Sequence, residues 1–387
     1  MAVATRATGG RRRKVVIGGV ALVAAGVAVA VGTTGTDRTV APPVTSTAIA
    51  ASVDTTLVPA PQAPTVIGDG RPLLGERTGL SVLLADYDGN LHHLDLDTGA
   101  LRSTRFTRPP GQESRLWFLT EDGLVSTNAS ALVLRQLDGT ERTLVAQPTD
   151  GFTTFANASR GQIWAVTQTG SGDQTLRRID LAAASVVESV SIGNAQLVGA
   201  DETGRPLLQL ADTTLWQYGA EQRWTMVGPL TTRPLGHGLY LNSNCSTPPA
   251  CSLEVRGADQ HVVYTVATSA QGQPVAIQGG ASNGTLTALV RIVDASTVGS
   301  AANSLPPDVA IDVYRPDGTR VATFADVLTR YDQNGFGGLT WSADGTWLFW
   351  LGLVKIHAWR VGLAQPIDID LLRLPVPAQH MTVIDPR

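Results

Sequence analysis

Short runs of apolar and β-favouring residues, broken at close intervals by Asp-Gly and related turn signals, fill most of this chain. In LTWSADGTWLFW, Leu339 and Trp341 alternate with polar neighbours, Asp344-Gly345 supplies a turn, and Trp347 to Trp350 forms a second run. Aromatic and β-branched runs flanking such a turn predict a hairpin. The stretch from Leu80 to Arg105 reads in the same way, as three strands with turns at Asp88-Gly89-Asn90 and Asp97-Thr98-Gly99. Comparable units lie at 114–147, 161–192, 197–227, 238–267, 285–328 and 338–369, with further turn signals at Asp122-Gly123, Asp138-Gly139, Thr203-Gly204 and Asp317-Gly318. The units start about 30 to 55 residues apart, which suits four-stranded blades better than helical repeats. Beyond the N-terminal segment no long stretch carries apolar residues at helical spacing. The expected fold is all-β, a β-propeller of seven blades.

Trp341-Ser342-Ala343-Asp344-Gly345 with Trp347-Leu348 resembles the repeat of TolB-type propellers. Asp88-Gly89-Asn90-Leu91 with Leu94-Asp95-Leu96-Asp97-Thr98-Gly99 is similar to the blades of PQQ-like bacterial propellers. The resemblance covers about a tenth of the chain, rests on general hairpin chemistry, and implies an extracytoplasmic propeller without identifying an orthologous group. Residues that would hold a quinone are not recognisable, so no cofactor, catalytic residue or metal ligand is assigned. Because an open edge exposes unpaired backbone groups, a closing strand is expected from residues 379–384 or 371–374, beside Leu80 to Ala85.

The N-terminus has a different pattern. A basic head over residues 1–14, with Arg11-Arg12-Arg13-Lys14, precedes an uncharged segment at 15–36. As a helix that segment would extend roughly 33 Å, enough for one span of a bilayer core about 30 Å thick. The basic head predicts a cytoplasmic N-terminus and an extracytoplasmic remainder. The alternative is a cleaved signal peptide, since Ala28-Val29-Ala30 has the small residues of a processing site. Arg12-Arg13 also resembles a twin-arginine signal, and no cysteine follows the apolar run to support a lipoprotein anchor. Residues 37–65, rich in Thr, Ala and Pro, read as a flexible linker, leaving 66–387 as the propeller domain.

After Ala63 there are 23 basic and 31 acidic residues, a formal charge of minus 8. That balance argues against nucleic acid or an anionic membrane surface as partner. The two cysteines, Cys245 and Cys251, are expected to form a disulfide in an exported protein. A Ser/Ala/Gly/Pro-rich insertion spans 294–308. Asp86, Asp88 and Asn90 alternate like calcium ligands, but the following spacing does not fit a calcium loop and a hairpin turn explains them. His92 and His93 should point to opposite faces of one strand, while His237, His261, His357 and His380 fall in separate units. The eight tryptophans lie largely in predicted strands and suit packing between blades better than a sugar platform. No G-x-S-x-G elbow, H-E-x-x-H helix or phosphate-binding glycine loop occurs. The expected function is a membrane-tethered module that binds or scaffolds an envelope protein, peptide or glycan through propeller loops. The alternative is a hydrolase or lyase with its site at the channel mouth.

Overall fold

The computed structural model describes residues 65–106, 117–127, 131–146, 151–168, 172–201, 203–210, 214–218, 224–229, 232–244, 252–266, 277–292, 309–327, 338–374 and 376–385. Its first strands are β1 (Thr65–Val66), β2 (Ser81–Asp86), β3 (Leu91–Asp95) and β4 (Ala100–Thr104). The second sheet holds β5 (Trp117–Thr120), β6 (Gly123–Thr127), β7 (Ala131–Arg135) and β8 (Glu141–Ala146). The third holds β9 (Gly151–Asn157), β10 (Gln162–Gln168), β11 (Gln174–Asp180) and β12 (Ser185–Gly193). Then follow β13 (Gln196–Ala200), β14 (Pro206–Gln209), β15 (Thr214–Tyr218) and β16 (Trp224–Pro229). Next are β17 (Thr232–Gly236), β18 (Leu239–Asn244), β19 (Ser252–Gly257) and β20 (Val262–Val266). They lead to β21 (Ile277–Ser282), β22 (Thr287–Ile292), β23 (Val309–Tyr314) and β24 (Arg320–Val327). The chain ends with β25 (Leu339–Trp341), β26 (Leu348–Leu351), β27 (Lys355–Trp359), β28 (Ile367–Asp370) and β29 (Ala378–Ile384).

From β5 to β28, every four consecutive strands form one antiparallel sheet. The remaining sheet is composite, with the order β1-β4-β3-β2-β29, so strands from both ends of the described chain share it. Where seven blades were expected, six are four-stranded sheets of consecutive strands, and the two ends of the described chain share one five-stranded closing sheet instead. Inner strands meet in the order β29, β5, β9, β13, and again β17, β21, β25, β29. Gly199 of β13 lies against Pro234 of β17, which joins the two arcs into a ring. This is a β-propeller.

The closing strand is the one expected at 379–384. Leu84 pairs with Met381 and Val82 with Val383, whereas residues 371–374 are not in a strand.

The core lies between neighbouring sheets. Leu348 and Trp350 of β26 pack against β22, β23 and Phe324, while Phe349 and Leu351 pack against the closing sheet. Side chains of a strand alternate between faces, and both faces here are covered. That is why the second strands read as unbroken apolar runs. Of the tryptophans, Trp164, Trp347, Trp350 and Trp359 are buried, in agreement with a packing role.

The Asp-Gly turns do not need positive φ at both residues. Gly345 has φ 70°, its N–H donates to Ser342 O at 2.8 Å, and Ser342 N–H donates to Trp347 O at 2.8 Å. Asp344 contributes through its carboxylate, accepting the Thr346 N–H at 2.9 Å and the Ser342 hydroxyl at 2.6 Å. The same Asp-Gly-Thr device recurs at 138–140 and 317–319, where Asp138 and Asp317 each accept the N–H two residues on at 2.9 Å. The turn is thus fixed by glycine geometry and a side-chain cap together.

No helix among the described residues is long and apolar enough to cross a membrane. The expected span at 15–36 lies outside the described residues, as do the linker up to residue 64, Cys245 and Cys251, and the 294–308 insertion. The flanks of the last two are informative. The cysteine segment joins β18 to β19 and the insertion joins β22 to β23, the second-to-third-strand connections of consecutive sheets.

Candidate functional site

The turn between β25 and β26 projects between two open clefts. One, of about 610 Å³, is lined by Asn283, Thr285, Leu286, Asp344 to Thr346 and the segment Arg360 to Leu363. The other, of about 490 Å³, is lined by Glu76 to Thr78, Leu80, Ala343, Asp344, Thr346, Trp347 and Asp385. Asp344 and Thr346 line both, so the turn is the ridge between them.

Local chemistry holds this ridge in place. The Asn283 side-chain amide donates to Gly345 O at 2.6 Å, and its oxygen accepts the N–H groups of Thr285 and Leu286 at 2.9 and 2.6 Å. The turn between β21 and β22 is thereby tied to the turn between β25 and β26. On the other side, Ala343 N–H donates to Asp385 Oδ2 at 2.7 Å, just beyond β29. Arg360 pairs with Glu76, and its guanidinium sits 5.0 Å from the centre of the Trp347 ring. Trp347 is itself only 2% exposed, so the aromatic face is covered by the arginine.

Charge around the clefts is mixed. The Ser342 hydroxyl, followed by the Thr346 N–H and hydroxyl, holds the Asp344 carboxyl below its ordinary range and keeps it ionised. Arg77 is exposed and has no ion-pair partner among the described residues. Fixed carboxylates, one engaged and one unengaged guanidinium, and rigid turn backbone equip the clefts to hold polar ligand groups. Among the described residues lining them there is no histidine or cysteine.

A catalytic-looking constellation occurs elsewhere. His92 Nε2 lies 3.1 Å from Asp86 Oδ2, and His92 Nδ1 lies 2.8 Å from Ser103 Oγ. Asp86 is 0% exposed and His92 1%. Asp86 Oδ1 also accepts the N–H groups of Asp88 and Asn90, at 2.8 and 2.9 Å, and Oδ2 accepts the Asn90 amide at 2.9 Å. Burial by itself would raise the Asp86 carboxyl, but the hydrogen bonds from His92 and Asn90 outweigh it and the group is held low. The cluster stitches the β2–β3 turn to β4 and lies outside both clefts. It has the residue types of a triad with the two ring nitrogens exchanged, and its placement is that of a structural hydrogen-bond network.

A second His–carboxylate pair lies on the two outermost strands of the last full sheet, β27 and β28. His357 Nδ1 sits 2.7 Å from Asp368 Oδ1, Lys355 Nζ donates to Asp368 Oδ2 at 2.9 Å, and the imidazole stacks 5.2 Å from Trp350. The carboxylate is shared between an ammonium and an imidazole on a strand surface, and the pair lines neither cleft.

The structure places the sequence candidates as follows. Asp86, Asp88 and Asn90 form a capped turn, which agrees with the hairpin reading. His92 is internal and His93 half-buried on the opposite face of β3. His237, His261, His357 and His380 are not gathered, and no group of three metal-ligating side chains occurs among the described residues. Asp344-Gly345 was legible as a turn, but Glu76, Asn283, Arg360 and Asp385 carried no local signal. Arg360 and Glu76 are 284 residues apart and meet only because the ring closes.

No protein-family model matches the sequence, and no curated protein matches it. Solved structures do. A prolyl endopeptidase aligns with 85% of this chain at 9% identity and a TM-score of 0.52, and the chain spans half of that protein. An uncharacterized protein from Listeria monocytogenes aligns with 65% of this chain over 80% of its own, at 10% identity and a TM-score of 0.42. The hydrazine synthase of Kuenenia stuttgartiensis aligns with 66% over 80%, at 11% identity and a TM-score of 0.41. The likeness is one of fold.

Proposed function

We propose that this propeller is a binding module whose ligand seats over the two clefts beside the Asp344–Thr346 turn. The observation that carries the reading is their adjacency: two open clefts share one rigid ridge, with fixed charges of both signs around it. An extended ligand can engage both sides of the ridge at once, which increases contact without reshaping the protein. The hydrolase alternative has less support, because both His–carboxylate pairs lie away from these clefts.

The N-terminal pattern supports an extracytoplasmic setting for this module. In the proposed arrangement residues 15–36 tether it, 37–65 act as a linker, Cys245 and Cys251 are bridged, and the ligand is an envelope protein, peptide or glycan. Release by signal cleavage would leave the same module free outside the cell.

Photo-activated capture of the full chain in its native envelope tests this. Amine-directed cross-linkers suit it poorly, since Lys355 is the only lysine after Lys14. A variant carrying Thr285→Arg and Val361→Arg fills one cleft from two exposed positions, and Val187→Arg on β12 serves as control. A species captured by the wild type and the control but lost from the cleft variant is expected. Equal capture by all three would reject the site.

A further inference from the structure

We infer that the ligand of the clefts is an extended polypeptide segment carrying a basic side chain, laid across the Asp344–Thr346 ridge. This rests on the cleft reading of function and goes further by choosing among ligand classes.

An aromatic face open to solvent favours saccharide recognition, because a sugar ring can pack on it. Among the described residues, the one aromatic side chain lining either cleft is Trp347, and it is buried with the Arg360 guanidinium over its ring. To stack on that ring a glycan would have to displace an arginine that is also paired with Glu76. A peptide needs no such platform. It needs fixed charges and polar groups spaced along a track, and the ridge supplies them.

The sign of the side chain follows from how each charge is engaged. Arg360 and Glu76 neutralise one another. Of the charges that remain among the described residues lining the second cleft, Asp344 and Asp385 are carboxylates and Arg77 is a cation. Asp344 accepts from Ser342 and Thr346, and Asp385 accepts from Ala343 through Oδ2. Each carboxylate oxygen has two lone pairs, so Asp344, with two donors on Oδ1 and one on Oδ2, keeps one acceptor site, and Asp385, with one donor on Oδ2, keeps three. A Lys or Arg side chain between them gains charge-assisted hydrogen bonds, and an acidic or C-terminal group of the same segment suits Arg77.

The test is panning of a randomised displayed peptide library against the full chain and against an Asp344→Asn, Asp385→Asn double variant. Asn retains the acceptor oxygen that caps each backbone N–H, so these substitutions remove charge and keep the turn. A cooperative melt within a few degrees of wild type, the small loss reflecting the stabilised Asp344 charge, verifies that. The expected result is enrichment of Lys- or Arg-containing peptides that bind the double variant roughly tenfold or more weakly and block envelope capture by the wild type. Arg77→Ala should instead relax selection for an acidic group. Enriched peptides that bind the double variant equally well would overturn the basic-peptide assignment. So would recovery of a glycan as the cleft-dependent species, which leaves the cleft reading standing. Capture that does not depend on the clefts, with no peptide enriched, would remove both.

Discussion

Asp86 shows how one residue can look catalytic and act structurally. Its carboxylate takes two backbone N–H groups, an amide and an imidazole in a fully buried setting. Removing His92 leaves that charge short of a partner, so His92→Ala should destabilise the fold by about 3 kcal/mol or more. Urea unfolding checks this. The pH dependence has a definite sign. A carboxyl held low in the folded state stabilises above its unfolded range, and that contribution fades as pH falls through the lowered folded value. Asp86→Asn should therefore be less stable than wild type near neutrality, with the gap closing below about pH 4. A gap that persists undiminished into acid would contradict the assignment. Gly345 makes a second residue-scale case. An added Cβ would meet φ 70° and the Asn283 side chain at 3.2 Å, so Gly345→Ala should cost about 1–2 kcal/mol. Ligand affinity should fall with it, because the ridge would shift.

Strands and turns were largely legible because their signals are local. Asp-Gly with flanking apolar runs marks β25–β26, and the unbroken run of β26 marks a strand buried on both faces. The turn chemistry was only half legible: glycine geometry follows from residue type, but the cap from Asp344 to Thr346 depends on side-chain placement. Edge protection was not legible at all. The outer strands β8, β12, β16, β20 and β24 each break register with their inner neighbour at least once. Such irregularities twist an edge away from further pairing. Two outer strands pair without a break, β28 and β4. The former is short and exposes Asp368 and Asp370. The latter is covered by β1, with Thr65 opposite Leu101 and Val66 opposite Ala100. A chain lacking residues 1–66 should consequently self-associate more readily than one lacking residues 1–63, as sedimentation would show. Equal behaviour would mean that β1 guards nothing.

At the scale of the whole molecule, closure determines both stability and site. β29 comes from the far end of the chain and pairs along the full length of β2. Removing residues 371–387 should lower the melting temperature sharply, and an unchanged value would deny closure its role. The same closure brings Glu76 to Arg360 and Asp385 to Ala343, which is why sequence pattern identified blades but not the clefts. Residue types that are ordinary in isolation become a site only when the ring returns the chain to its start. The most direct measurement is a photo-reactive residue at Val361, which is 58% exposed beside the larger cleft, compared with one at Val187 on an outer strand. In the native envelope a single recurrent adduct should form at position 361 and be absent at 187. Adducts at 187 matching those at 361, or none at 361 while a partner is captured elsewhere, would contradict a ligand seated on this ridge.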